Sequence, residues 1–482
     1  MSKFKPSRTA AAVIGNSAAT ARRPPTRQTT AAVQDFPGAT GGVQPAAVAD
    51  PVFQERVLNP TRQFALKCTL LFLFFRFSFL HEFISAKVHF DTHILVVLGA
   101  ASYFACFLAG DFLTAFKERA AWMWCGLGAC MVLATAFSTW RGGSFGVVLP
   151  YLKTTLPLVF LIPAVAYTAD DLKKVVNTIG VAGMVTILIG FASSDFKSGR
   201  MALGSPGSDI ADSNDYAAHM ILVLPAIAYL FFAPKRSIIF KAFGALVICG
   251  AMYQILSTGS RGGLVGLLIT CLYILKKGSS KVRLAILVGL PTLALLAFPL
   301  IPHDSAARLK SLFGQDEDTH AADVATESRE ARKALFWASV HITLHHPLFG
   351  IGPGEFMDVQ AGIAKDQGER GMWHETHNAY TQLSSECGIP ALFFYLAALS
   401  MTYLILLRVI KAGLPVTSTL ASILSVMLVG YSVCIIFLSH GYNFSMPALS
   451  GITIALGRLT ANQSEAREES SASPAPAMSR QL

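Results

Sequence analysis

Twelve apolar stretches dominate this chain, and each is close to the roughly 20 residues that cross a bilayer. They fall at about 64–85, 91–109, 120–139, 147–168, 173–193, 216–233, 237–257, 262–276, 283–301, 389–410, 415–438 and 443–460. In hydrocarbon a backbone must satisfy its own hydrogen bonds, so runs of this kind become helices. Composition agrees, with 53% hydrophobic and 14% charged residues, where soluble domains carry about 25% charged. The expected fold is an all-α membrane protein of about twelve transmembrane helices, nine within 63–301 and three within 389–461. One large loop, 302–388, separates the ninth from the tenth.

The flanks read differently. Residues 1–62 are basic and rich in Ala, Pro, Thr and Gly, without the apolar core or cleavage site of a signal peptide. They are expected to form a disordered cytoplasmic tail, and 462–482 a second one. The eight cysteines are scattered with no CxxC, which argues against a disulfide framework or a thiolate zinc site. The net charge of +10 follows from topology rather than nucleic-acid binding. One set of alternate loops holds thirteen basic residues: Lys117, Arg119, Lys173, Lys174, Lys235, Arg236, Lys241, Lys276, Lys277, Lys281, Arg283, Arg408 and Lys411. The opposite short loops hold five: Lys87, Arg141, Lys197, Arg200 and Arg261. The first set is therefore expected in the cytoplasm, with both termini, and the loop 302–388 outside. That loop is too long for a plain connector, and it carries seven of the twelve histidines.

Two arginines sit against the charge rule. Arg200 lies in an outward segment full of turn residues, "DFKSGRMALGSPGSDIADSNDY", and Arg261 in "STGSRGG" at the start of a helix. Small residues let a backbone approach closely, and a helix N-terminus offers free N–H groups to an anion. A planar, permanently charged guanidinium there suits a phosphate or diphosphate. Either one alone reads better as snorkelling to headgroups or pairing with a loop carboxylate; two on the same face favour ligand binding. Arg76, inside "LFLFFRFSFL", needs a partner or an aqueous edge, and an anionic lipid is one candidate.

Within the outer loop, "DVATESREARKALFWASVHITLHHPLFGIGPGEF" reads as a helix with Leu335, Ala338 and Ile342 on its apolar face, ended by Pro347 and glycine turns. Trp337 reads as a core or interface anchor. Arg332 reads as substrate-facing or as part of a solvated face. His341 and His345 have a metal-ligating spacing, and "HETH" places His374 and His377 at i, i+3, but no matching third ligand or HExxH is evident. No metal and no cofactor are expected. In "HNAYTQLSSECGIP", His377, Thr381 and Ser384 are expected on one helix face, with Gly388 and Pro390 stopping that helix. A neutral imidazole at the membrane surface can deprotonate a hydroxyl, with Glu375, Asn378 or Glu386 to orient it.

In this order and spacing, four pieces resemble the O-antigen ligase and polymerase superfamily of bacterial polytopic membrane glycosyltransferases. They are the Arg200 segment followed by "DSNDYAAHMILVLP", then "STGSRGG", then a tryptophan before "HPLFGIGPGEF", then "HN" with Gly388 after nine residues. The resemblance covers about 195–410. It implies a glycan arriving on undecaprenyl diphosphate at the periplasmic face of the inner membrane, and one inverting, metal-independent transfer to an acceptor hydroxyl. It assigns Arg200 and Arg261 to the lipid diphosphate and His377 to the acceptor, as base or positioning group. Asn214, Arg332, Trp337, His374, Asn378 and Glu386 are further substrate-binding candidates. Where lipopolysaccharide ligases carry a second glycine three residues on, this chain has "GIPALFF" with Ala391. Lipopolysaccharide ligase, O-antigen or exopolysaccharide polymerase, and protein O-oligosaccharyltransferase stay open, as does assembly with other polysaccharide export components. A transporter is the alternative from another class. It would place polar groups at the midplane and show internal repeats, whereas here they gather at the outer surface. A scaffold role leaves Arg200, Arg261 and His377 unexplained.

Overall fold

The computed structural model describes residues 57–109, 112–195, 199–203, 210, 212–310, 320–366, 368 and 373–472. Among them the chain is helical apart from short connections and a small hairpin, Ser194–Asp195 paired antiparallel with Ala202–Leu203. Each of the twelve apolar runs forms helix. Among the described residues, seven helices are long and apolar enough to cross a membrane: Arg119–Ala136, Arg141–Val165, Ala169–Ser193, Ser213–Phe232, Ile238–Ser257, Ile389–Ala412 and Pro415–Phe437. Pro60–Ser78 and Leu80–Val88, bent by 68° at a break, make an eighth if taken as one span. The shorter or less apolar helices Ile94–Ala109, Arg261–Lys277, Ser280–Ala297 and Ser445–Ala472 are the difference from twelve.

The break inside the first run was not evident from hydropathy. Phe79 takes a left-handed conformation, φ +52°, and the carbonyls of Phe77 and Ser78 accept the Thr186 hydroxyl at 3.3 Å. The Ala182 carbonyl, at 3.1 Å, shares this single donor, so the two groups that the helix end leaves bare receive only part of a bond. Arg76 lies in the last turn before the break, its guanidinium 4.4 Å from the centre of the Phe444 ring.

Helices meet where small residues allow it, as expected when lipid supplies no hydrophobic drive between them. Ala169–Ser193 packs on Ser213–Phe232 through Gly180 and Gly183. A Cβ on either would come within 2.7 Å of the Ala226 carbonyl or the Val223 side chain. Ile389–Ala412 packs against Arg119–Ala136, Pro415–Cys434 and Ser445–Ala472.

Two expected boundaries shift. Arg62 belongs to the fold and not to a tail: it is buried, and donates to Asp171 at 3.0 Å and to the Val165 carbonyl at 2.7 Å. Residues 462–472, read as tail, continue the last helix to Ala472. The rest of both tails lies largely outside the described residues.

The loop 302–388 is mostly helical, with His303–Lys310, His320–His345, Phe356–Asp366 and Ala379–Cys387. Leu335 and Ile342 build a small core with Ile351 and Phe356, and Ala338 packs against it, as their spacing predicts. Two motifs distant in sequence then lock together. Ile351 N–H donates to the Ser385 carbonyl at 3.0 Å, Gly352 N–H to that of Glu386 at 2.9 Å, and Ile389 N–H to that of Pro347 at 2.8 Å. Gly350 and Gly388 have φ +66° and +88°. A Cβ on Gly388 would collide with the Leu348 carbonyl, and one on Gly350 with the Glu386 backbone. The glycine-rich turn and the break before Ile389 are thus two halves of one joint.

Candidate active site

The "STGSRGG" turn forms as its composition demands. The helix Ile238–Ser257 ends at Thr258, and Gly259 turns the chain with φ +58°. Ser260 then caps the next helix by accepting the Gly263 N–H at 3.1 Å, which makes Arg261 its first residue. Arg200 lies against this turn. Its Nε donates to the Thr258 carbonyl at 2.8 Å, and its Nη2 to Asn214 Oδ1 at 3.2 Å. The Ser260 hydroxyl donates to the same oxygen at 2.9 Å. The Asn214 amide nitrogen donates to Asp212 Oδ1 at 2.7 Å, which fixes the oxygen toward Arg200 and Ser260. Asn214 is therefore the hinge that holds Arg200 to the Arg261 turn.

Two more arginines join from the outer loop. Ser305 Oγ donates to the Ser257 carbonyl at 2.6 Å and to the Gly199 carbonyl at 3.2 Å, which seats the helix His303–Lys310 on the turn. Its Arg308 enters the same electrostatic field: burial, then the charges of Arg200, Arg261 and Arg332, push its guanidinium down to about 10. Burial lowers Arg200 as well; Asp212 opposes this, while Arg332 and Arg261 add to it. Burial also lowers Arg332, offset by Asp212 and Asp215. All remain cationic at neutral pH. These guanidinium groups outnumber the two carboxylates that act on them, Asp212 and Asp215, and Arg329 adds a further positive charge beside Arg261. Arg308 was not evident from the sequence because it follows an ordinary loop pattern. Arg332 turns out half-buried and coupled to the cluster, rather than part of a solvated face.

His377 stands beside this cluster, not on the helix it was expected to open. It takes a left-handed conformation, φ +50°. The helix begins only at Ala379, capped by Asn378, whose Oδ1 accepts the N–H groups of Tyr380 at 3.0 Å and Thr381 at 3.1 Å. The shared face with Thr381 and Ser384 is therefore lost, and the Ser384 hydroxyl instead meets Thr343 at 2.9 Å. The strained backbone is held by Ser439, whose hydroxyl accepts the His377 N–H at 2.9 Å. Such strain in a non-glycine residue needs surrounding structure to fix it. Burial and then Arg332 lower the His377 pKa below the ordinary histidine value; Asp212 opposes this, His374 adds to it and Asp215 opposes it. The ring is thus neutral at pH 7 and able to take a proton. His374, exposed, has its ring centre 6.2 Å away.

Glu386 lies in the joint of the glycine-rich turn, and Trp337 lies on the surface. Glu386 is buried, and its Oε2 accepts Gly354 N–H at 2.8 Å and the Tyr442 hydroxyl at 2.6 Å. It pins the glycine-rich turn, and burial pushes its pKa up to about 7. Trp337 is 60% exposed, so it is not a core anchor. His341 and His345 stack at 4.1 Å on an exposed surface, with His345 Nδ1 placed 2.8 Å from the His341 carbonyl.

Residues 244–396 match the protein family described as O-Antigen ligase. The match takes in Arg261, Arg308, Arg332, the glycine-rich turn and His377; Arg200 and Asn214 lie outside it. No curated protein matches the chain. Over residues 244–396 the chain is thus similar to the O-antigen ligase family, and that match supports the O-antigen ligase/polymerase superfamily.

Proposed function

We propose that the protein is a multi-pass glycosyltransferase of the bacterial inner membrane. It moves an oligo- or polysaccharide from undecaprenyl diphosphate to an acceptor hydroxyl at the periplasmic face. The observation that carries this reading is the cluster of Arg200, Arg261, Arg308 and Arg332, opposed by Asp212 and Asp215. Its excess of positive charge complements the charge of about −2 on a diphosphate diester. In the proposed topology of about twelve spans, with both termini in the cytoplasm, the cluster lies at headgroup depth outside, where a lipid-borne diphosphate lies.

The reaction is a single displacement. The acceptor oxygen attacks the anomeric carbon, the bond from that carbon to the diphosphate oxygen breaks, and the configuration inverts. The charge that develops on the leaving diphosphate meets preorganised, half-buried guanidinium groups. His377 acts on the acceptor hydroxyl, as its base or its positioning group. No metal and no cofactor enter this scheme. Lipopolysaccharide ligase, O-antigen or exopolysaccharide polymerase, and protein O-oligosaccharyltransferase share this donor chemistry and differ in acceptor.

The test is transfer by purified protein from host undecaprenyl-diphosphate-linked oligosaccharide, with a lipid A-core, a second copy of the lipid-linked glycan, and an acceptor protein supplied one at a time. Release of lipid diphosphate with one of them supports the reading and names the subclass. No release with any, from folded protein, overturns it and favours a transporter.

A further inference from the structure

The glycine-rich turn carries a buried carboxylate that the proposed reaction leaves unused. Glu355 is 2% exposed and faces the outer turn between Arg119–Ala136 and Arg141–Val165. Ser144 Oγ lies 3.4 Å from its Oε1 and 2.7 Å from Ser138 Oγ. A carboxylate only accepts, so Ser144 donates to Glu355 and Ser138 donates to Ser144. The bond to Glu355 is long for a hydroxyl on a carboxylate. Glu355 Oε2 makes no hydrogen bond among the described residues, and it is not closed off from the surface. A buried carboxylate bonded so sparsely calls for a further donor.

An aromatic ring flanks the same carboxylate. Trp140 is 63% exposed. A Cβ on Gly143 would fall 2.5 Å from Trp140 Cε3 and 2.6 Å from Glu355 Oε1. Ring and carboxylate therefore border one space, which the glycine leaves open. The turn that bears Trp140 is fixed to the joint. Thr139 donates its N–H to the Ile351 carbonyl at 3.0 Å and its hydroxyl at 3.2 Å, and the Phe137 ring stacks on Phe349 at 4.3 Å. The joint closes on the Ser385 and Glu386 carbonyls, at the far end of the helix Ala379–Cys387 from His377. Those 9 residues span about 13 Å, so one molecule meets both His377 and Glu355 only if it extends over that length. Arg332 lies away from the joint: Thr343, about three turns further along its helix, is the residue that meets Ser384.

We propose that Glu355 and Trp140 form a subsite for a sugar ring of the acceptor, so that the acceptor is a glycan and not a protein. This rests on the glycosyltransferase reading above and narrows it to a ligase or a polymerase. A sugar ring supplies both kinds of contact from one rigid body. Its hydroxyls donate to Glu355 Oε2 in a short, charge-assisted bond. Its C–H face is apolar, with partly positive hydrogens that suit the negative face of the indole. The place of the space, beyond His377 and away from Arg332, assigns the ring to the acceptor rather than to the donor sugar that carries the diphosphate. Glu355 and Trp140 bind and orient; no bond is made or broken at them.

The first readout needs no donor. Full-length protein is titrated by calorimetry with core oligosaccharide freed from lipid A by mild acid, and with the oligosaccharide freed from the host's lipid-linked glycan. The wild type is expected to bind one of them. Trp140→Ala is expected to weaken that binding about 10-fold, and Trp140→Phe to keep most of it. Glu355→Gln, once shown to be folded by size exclusion, is expected to weaken it about 10-fold as well. Trp140 is exposed, so its variants test the subsite even if Glu355→Gln does not fold. Affinity for inorganic pyrophosphate stays at the wild-type level in all of them. In turnover with the oligosaccharide that binds, the acceptor KM rises in Trp140→Ala while the donor KM holds. Wild-type protein that binds neither oligosaccharide, or equal binding by Trp140→Ala, overturns the subsite. Release of lipid diphosphate with an acceptor protein alone also overturns it, and leaves the glycosyltransferase reading standing. Oligosaccharide binding that depends on Trp140, in protein that never releases lipid diphosphate, overturns the glycosyltransferase reading instead.

Discussion

Glu386→Gln tests whether this residue is scaffold rather than substrate contact. The carboxyl is fully buried against Gly354 and Tyr442, and its pKa rises from 4.5 to about 7. A raised carboxyl pKa means that the folded protein binds the proton more tightly than the unfolded chain. The stabilisation is therefore complete below pH 4.5 and is lost as pH rises through about 7. A difference of about 2.5 units at 1.36 kcal/mol each is about 3 kcal/mol, most of it lost between pH 5 and pH 8. Glutamine cannot ionise, so its curve lacks this component. Titration of other groups, His377 among them, cancels in the comparison. The assay is thermal denaturation of detergent-solubilised protein at pH 5, 6, 7 and 8, read as wild type minus Glu386→Gln. The difference is expected to turn against the wild type as pH rises. A difference that is flat across this range refutes the assignment of a buried, proton-binding Glu386.

Arg308→Ala removes a guanidinium from the cluster, and binding of inorganic pyrophosphate by titration calorimetry should weaken about 10-fold to 100-fold, with less dependence on salt. Asn214→Leu deletes the acceptor shared by Arg200 and Ser260, and should weaken pyrophosphate binding in the same way without touching the ligand itself. Gly388→Ala forces a Cβ into the Leu348 carbonyl at φ +88°; loss of folded protein in detergent, seen by size exclusion, is the expected result. The acid limb of kcat/KM should titrate below the ordinary histidine value of about 6.5, because burial and Arg332 disfavour the imidazolium of His377.

Much of this was legible in the sequence. Apolar runs mark helices in a membrane protein because the solvent is uniform, and all twelve are helical. Arg200 and Arg261 stood out because they break a charge rule, and the structure holds both at one turn. His377 stood out by its neighbours, yet its backbone departs from helix, since the Asn378 cap and the Ser439 contact are tertiary facts. Glu386 read as a site residue because a carboxylate near a histidine looks catalytic; only the folded joint reveals Gly354 and Tyr442 around it. Arg308 carries no local signal at all. Its place comes from segments distant in the chain that meet at one turn.

The most direct test of the central claim is release of lipid diphosphate from undecaprenyl-diphosphate-linked oligosaccharide, measured in EDTA for wild type, Arg261→Ala and His377→Ala at several donor concentrations. The account predicts release by the wild type, a raised donor KM for Arg261→Ala, and a collapsed kcat with donor binding retained for His377→Ala. Equal loss of donor binding in both variants, or turnover in His377→Ala close to that of the wild type, would contradict it.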